Sequence, residues 1–171
     1  MSPRTRVPGL PFDPVAEARR QWQAHGWSEA APGMAAVTSL MRAQQILLAR
    51  VEEVLRPHGL TFARYELLMV LLFSRAGALP LSRLGDRLQV HPASVTNVVD
   101  RLEAQGHVQR EPHPSDRRTT LARLTDSGRH LALAATEDLN TKVFAAPGLD
   151  GDAVDRLVAV LTDLRRAAGD F

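Results

Sequence analysis

Two adjacent arginines, Arg117 and Arg118, directly follow Asp116 in the stretch His113–Thr125, "HPSDRRTTLARLT". The flanking residues "HVQRE" and "TTLARL" alternate with period 2, so the pattern predicts a β-hairpin with both guanidiniums at its tip. Guanidiniums permanently carry charge and form no covalent intermediates, so the chemistry they offer is anion recognition. A nucleic-acid groove supplies the missing counter-charge, because narrow A·T tracts concentrate negative potential that attracts arginine. The alternative is that the arginines only keep an exposed turn soluble. Asp116 is placed to hold one guanidinium, leaving the other free. Arg110 on the first strand and Arg123 on the second are candidates for phosphate contacts.

Just upstream lies a second candidate. Helical spacing predicts a short helix through Leu84 and Leu88, with Ser82 as its cap, then a turn at "QVHP" and a helix over 92–105. Pro92 takes the first helical position and Gly106 the C-terminal cap. The second helix buries Val95, Val98, Val99 and Leu102, which leaves Ala93, Ser94, Thr96, Asn97 and Arg101 outward. Small side chains let a helix approach bases closely, Ser and Thr meet bases or phosphates, and Asn pairs bidentately with adenine. Helix, tight turn and helix fit a helix-turn-helix, and the hairpin fits a wing beside it. An unpartnered surface helix is the bland alternative.

Positioning these groups requires a mostly helical chain. Residues 1–12 hold three of the eleven prolines and read as a flexible arm. Asp13 and Pro14 start a helix with Val15, Ala18 and Trp22 on one face, and Gly26 stops it; the region 13–33 is this extra helix plus the connector "SEAAPG". A long amphipathic helix from Met34 to Arg56 carries Val37, Leu40, Met41, Leu47, Leu48, Val51 and Leu55. Thr61 caps a helix bearing Leu67, Leu68, Leu71 and Leu72, and Gly77–Pro80 interrupts the pattern. Thr125 caps another long helix to about Phe144, and a last helix holds Val154, Leu157, Val158, Leu161 and Leu164. The fold class is mainly α with a small β-hairpin wing.

Composition removes other classes. The 171 residues carry 44% hydrophobic and 23% charged residues with a formal charge of +2. All the basic residues but Lys142 are arginine. Residues 82–130 hold eight Arg against six acids, so tight polyanion binding requires local clustering and a second copy. Cysteine is absent, which excludes thiolate metal sites and thiol redox sensing. The six histidines (25, 58, 91, 107, 113, 130) show no ligand spacing, so no metal or other cofactor is expected. No GxSxG, Walker or Rossmann glycine pattern occurs, so an enzyme is not expected. No apolar run approaches the roughly 20 residues of a membrane span, and the N-terminus lacks a signal-type apolar segment, so the expected location is cytoplasmic.

The stretch "LSRLGDRLQVHPASVTNVVDRLEAQGHVQREPHPSDRRTTLARLTDSG" resembles the winged-helix region of the MarR family of bacterial transcriptional regulators. The features that carry the likeness are "VDRLEAQG" ending the recognition helix, "PSDRR" at the wing tip and "LARLTDSG" entering a long helix. The resemblance implies a winged helix-turn-helix (61–124) flanked by dimerisation helices (34–60 and 125–171). It implies a homodimer on a pseudo-palindromic double-stranded DNA operator, with half-sites about one helical turn apart. Asp116 and Arg118 match the wing's paired acidic and basic positions, and Arg117 is its second basic residue. Ser94, Thr96, Asn97 and Arg101 match recognition-helix positions that face DNA.

The resemblance further implies a repressor released by a small phenolic or anionic ligand. The N-terminal helix with Trp22 is similar to that of members that bind urate, and Glu66 sits near their acidic position. Phe73 stands where an arginine is expected, which argues against urate. Arg64, Tyr65 and Glu66 are the polar group expected at a cleft, while packing that lengthens the dimer interface is the favoured account of Trp22 and Trp27. The alternative function is a winged-helix protein-interaction module without DNA binding.

Overall fold

The computed structural model describes residues 10–116 and 118–171. Helix α1 spans Pro14–Ala24 and α2 spans Ala31–Leu55, followed by a short 3-10 turn at Arg56–His58. Next come α3 (Phe62–Leu72), β1 (Ala78–Pro80), α4 (Leu81–Leu88) and α5 (Pro92–Ala104). Strands β2 (Val108–Pro112) and β3 (Thr120–Leu124) lead into α6 (Asp126–Leu139), a π turn at Asn140–Phe144, and α7 (Gly151–Ala167). The chain divides into two compact units, one ending at Ala49 and one from Arg50 to Phe171.

In the first unit the Asp13 carboxylate accepts from the Val15 N–H at 2.9 Å, and Pro14 opens α1, as the sequence predicts. Helix α2 starts at Ala31, three residues ahead of the expected Met34, because Pro32 is tolerated in a first helical turn. Val37, Leu40, Met41 and Leu47 are all exposed on α2.

In the second unit the core gathers Leu67, Leu68 and Leu71 of α3, Leu84 of α4, and Val95, Val99 and Leu102 of α5. Val108, Ala122 and Leu124 of the sheet and Ala132, Ala135 and Leu139 of α6 complete it. The antiparallel sheet has the order β1-β3-β2, with Ala78 opposite Arg123 and Val108 opposite Leu124. Strand β1 is a correction to the sequence reading, which saw only a break at 77–80. Three residues ending in proline show no alternation, and β1 exists because the free edge of β3 pairs with it. Ser82 is a second correction. It lies inside α4, whose N-cap is Pro80 with no side-chain cap bond.

Thr125 ties the wing to α6. Its hydroxyl donates to the Gly106 carbonyl at 2.8 Å and accepts from the Gly128 N–H at 3.0 Å. Thr125→Ala is therefore expected to cost about 1–2 kcal/mol in denaturant unfolding, since the cap and the link to the α5–β2 turn vanish together. An unchanged midpoint would remove this role from Thr125.

Candidate nucleic-acid interface

Helix α4 ends at Leu88 and is capped by Gln89, whose φ of 53° is left-handed and turns the chain out of the helix. The turn packs back onto Gly85, where an added Cβ would make ordinary contact at 3.5 Å from the Val90 carbonyl oxygen and 3.6 Å from Val95 Cγ2. The His91 ring then accepts from the Ala93 N–H at 3.2 Å, and Pro92 opens α5 as expected. Because α5 buries Val95, Val99 and Leu102, its opposite face is fixed outward. Ala93, Ser94, Thr96, Asn97, Asp100 and Arg101 are all exposed there. The Thr96 hydroxyl donates back to the Pro92 carbonyl at 3.2 Å. Thr96, Asn97 and Arg101 line one concavity of about 420 Å³, whereas Ser94 lies on the side of a small crevice shared with Glu66.

The wing tip is built by Asp116. One carboxylate oxygen accepts from the Arg118 backbone N–H at 3.0 Å and the other from the Thr119 hydroxyl at 2.6 Å. Those two bonds, Thr119 first, hold the Asp116 carboxyl below its ordinary range. The turn is therefore locked at neutral pH, and this contribution is lost only as pH falls through that lowered value. Asp116 was expected to hold a guanidinium; among the described residues its carboxylate holds the turn's backbone and the Thr119 hydroxyl, not the Arg118 side chain. Arg118 is exposed, and no carboxylate among the described residues pairs with its side chain. Arg117 lies outside the described residues.

Arg110 and Arg123, expected at phosphates, are engaged inside the protein. The half-buried Arg110 guanidinium pairs with Asp100 at 2.6 Å and with Glu103, and its backbone N–H donates to Glu103 at 2.8 Å. The backbone and side-chain bonds from Arg110 lower the Glu103 carboxyl, so this brace between β2 and α5 is complete at neutral pH. Arg123 forks onto Glu111 across the hairpin and donates to the Ala76 carbonyl at 2.8 Å. Sequence reasoning missed both braces because each joins side chains of two different elements, and the period within one element does not show which side chains meet across two.

The polar group expected at a ligand cleft is divided. Consecutive helix residues are about 100° apart, so Arg64, Tyr65 and Glu66 cannot line one wall. Tyr65 is buried with its hydroxyl 3.0 Å from Thr136 Oγ1. Glu66 borders a crevice of about 50 Å³ lined by Leu67, Leu88, Val90 and Val98, and burial pushes its carboxyl up. Arg64 lines a different groove, together with Asn97 and Arg101. Trp22, in the first unit, meets Trp27 edge-on at 5.4 Å.

The family model described as "MarR family" matches residues 60–120. Sco5413, a MarR family transcriptional regulator from Streptomyces coelicolor, is 53% identical with a TM-score of 0.75, over 82% of this chain and 97% of that one. The chain belongs to the MarR family. Its helix-turn-helix and wing are thus the DNA-binding fold of a family of transcriptional regulators rather than enzymes. Another MarR family regulator, Sco3205 from the same organism, was solved in complex with DNA; it is 25% identical with a TM-score of 0.68, over 77% of this chain and 84% of that one. The HTH-type transcriptional regulator MhqR of Bacillus subtilis (strain 168) is 33% identical over 52% of this chain, which spans only 60% of that relative's length. No helix among the described residues is long and apolar enough to cross a membrane.

Proposed function

We propose that this MarR protein is a homodimeric transcriptional repressor that binds a pseudo-palindromic DNA operator and is released by a small phenolic or anionic effector. One observation carries the reading: the outward face of α5 offers short, uncharged, hydrogen-bonding side chains beside an arginine. A solvated helix face normally carries long charged residues, whereas this face is shaped to reach base edges. In this reading Ser94, Thr96, Asn97 and Arg101 meet the major groove, while Arg118 and Arg117 reach the neighbouring minor groove from the wing. Asp116 and Arg110 act as positioning residues, the first for the wing turn and the second for α5. Support for two copies comes from apolar side chains left exposed on α2 and on α7, where Leu157, Val158 and Leu164 are uncovered. The corresponding division is dimerisation by 34–60 and 125–171 around a winged unit at 61–124, in the cytoplasm. The effector would act near Trp22, Arg64, Tyr65 or Glu66.

The alternative of a protein-interaction module needs an acidic or apolar α5 face. Asp100 is the exposed acid there, and its carboxylate is paired with Arg110.

Selection of bound duplexes from random DNA, with sedimentation of the complex, tests the reading. Recovery of an inverted repeat bound by two chains is expected, and recovery of no preferred sequence would overturn it. On the selected operator, Asn97→Ala is expected to relax preference at one base pair per half-site, costing about 1–3 kcal/mol of discrimination. Unchanged preference in a repeated selection would remove base reading from Asn97.

A further inference from the structure

We infer that the groove between the first turn of α3 and α5 holds a backbone phosphate of the bound DNA, with Arg64 as a contact outside the helix-turn-helix. This rests on the DNA-binding reading and extends it to a third element. Arg64 and Arg101 line a single groove of about 480 Å³ with Thr61, Asn97, Val98 and Gln105. No carboxylate lines it, although Arg110 and Arg123 nearby are each paired with acids. Among the described residues the Arg64 Nε–H reaches only the Thr61 hydroxyl oxygen, at 3.3 Å. Among the described residues neither Arg64 nor Arg101 forms an ion pair. Two guanidiniums facing one groove repel unless an anion enters between them.

The position of the groove selects the anion. Asn97 and Arg101, four residues apart on α5, border both this groove and the concavity beside Ala93 and Thr96. They form the ridge between the two. A helix is about 10–12 Å across and the DNA major groove about 12 Å wide. With the ridge over the bases, the flank of α5 must therefore face a sugar–phosphate strand. Arg64 stands on that flank, where a planar fork matches a phosphodiester.

The test titrates full-length protein with its selected operator and with a random duplex over a range of salt. Arg64→Ala should weaken both complexes by a similar factor, roughly tenfold at low salt, and reduce the salt slope by about 1 per phosphate contact. Arg64→Lys should restore part of the slope, and base preference should stay that of the wild type. Replacing single operator phosphates by methylphosphonates adds a second readout. One flanking position per half-site should weaken wild-type binding yet leave Arg64→Ala unaffected. Wild-type affinity and slope in Arg64→Ala, or a loss confined to the operator, would overturn the inference alone. A wild type that binds no duplex would overturn the regulator reading with it.

Discussion

Gly128→Ala should lower stability by about 3 kcal/mol or more and drop the melting temperature by roughly 6–12 °C. Gly128 stands three residues after the Thr125 cap, in the first turn of α6, and is buried. A Cβ added there would lie 2.1 Å from the His107 carbonyl oxygen, 2.9 Å from its carbonyl carbon and 2.9 Å from Leu124 Cδ1. Two of these three atoms are backbone in the α5–β2 connection, and they are held by the Thr125 N–H donating to the same His107 oxygen at 3.2 Å. An alanine inside a helix ordinarily gains about 0.5–1 kcal/mol over glycine. Here the clash exceeds that gain, because neither α6 nor the β2 connection can move without breaking the cap. Thermal unfolding of Gly128→Ala beside Gly151→Ala checks the claim, since nothing lies within 4 Å of a Cβ added at Gly151. Equal melting temperatures would mean that the α6–β2 approach is looser than described.

Replacing Arg117 and Arg118 together by alanine should leave the fold intact and weaken operator binding by roughly 100-fold at moderate salt. The fold survives because the turn is fixed by Asp116 to the backbone N–H of residue 118 and to Thr119, not to the Arg118 side chain. Binding weakens because each lost phosphate neutralisation lowers the salt slope by about 0.9, and a dimer presents each arginine twice. The slope of log affinity against log salt should therefore fall by roughly 2–4. Fluorescence titration at several salt concentrations, with circular dichroism of the free variant, separates the two effects. Unaltered affinity and slope would show that the wing does not touch DNA. By contrast Asp116→Ala would act through the turn, so its loss should be accompanied by altered wing order.

Much of the fold was legible because local rules and tertiary packing agree here. The Asp13 and Thr125 side chains accept backbone N–H groups left free at helix starts, Pro92 occupies a first-turn position that needs no N–H, and Gly106 takes the left-handed φ that follows α5. The period-3.6 stripe of Val95, Val99 and Leu102 fixed which α5 side chains face outward. Strand β1 and the position of Ser82 escaped because a three-residue edge strand carries no periodic signal of its own.

What the sequence by itself determined is the inventory of outward groups: short hydrogen-bonding residues on one helix and a wing tip bearing arginines. Local spacing suffices for that, since helix and strand periods fix which side chains share a face. Only the tertiary structure decided which charges remain available. It closed Arg110 onto Asp100 and Glu103, forked Arg123 onto Glu111, and left Arg64 and Arg101 facing one groove without an acid. These ion pairs depend on distances of a few ångströms between side chains on two different elements, and the period of a single helix or strand does not encode those distances.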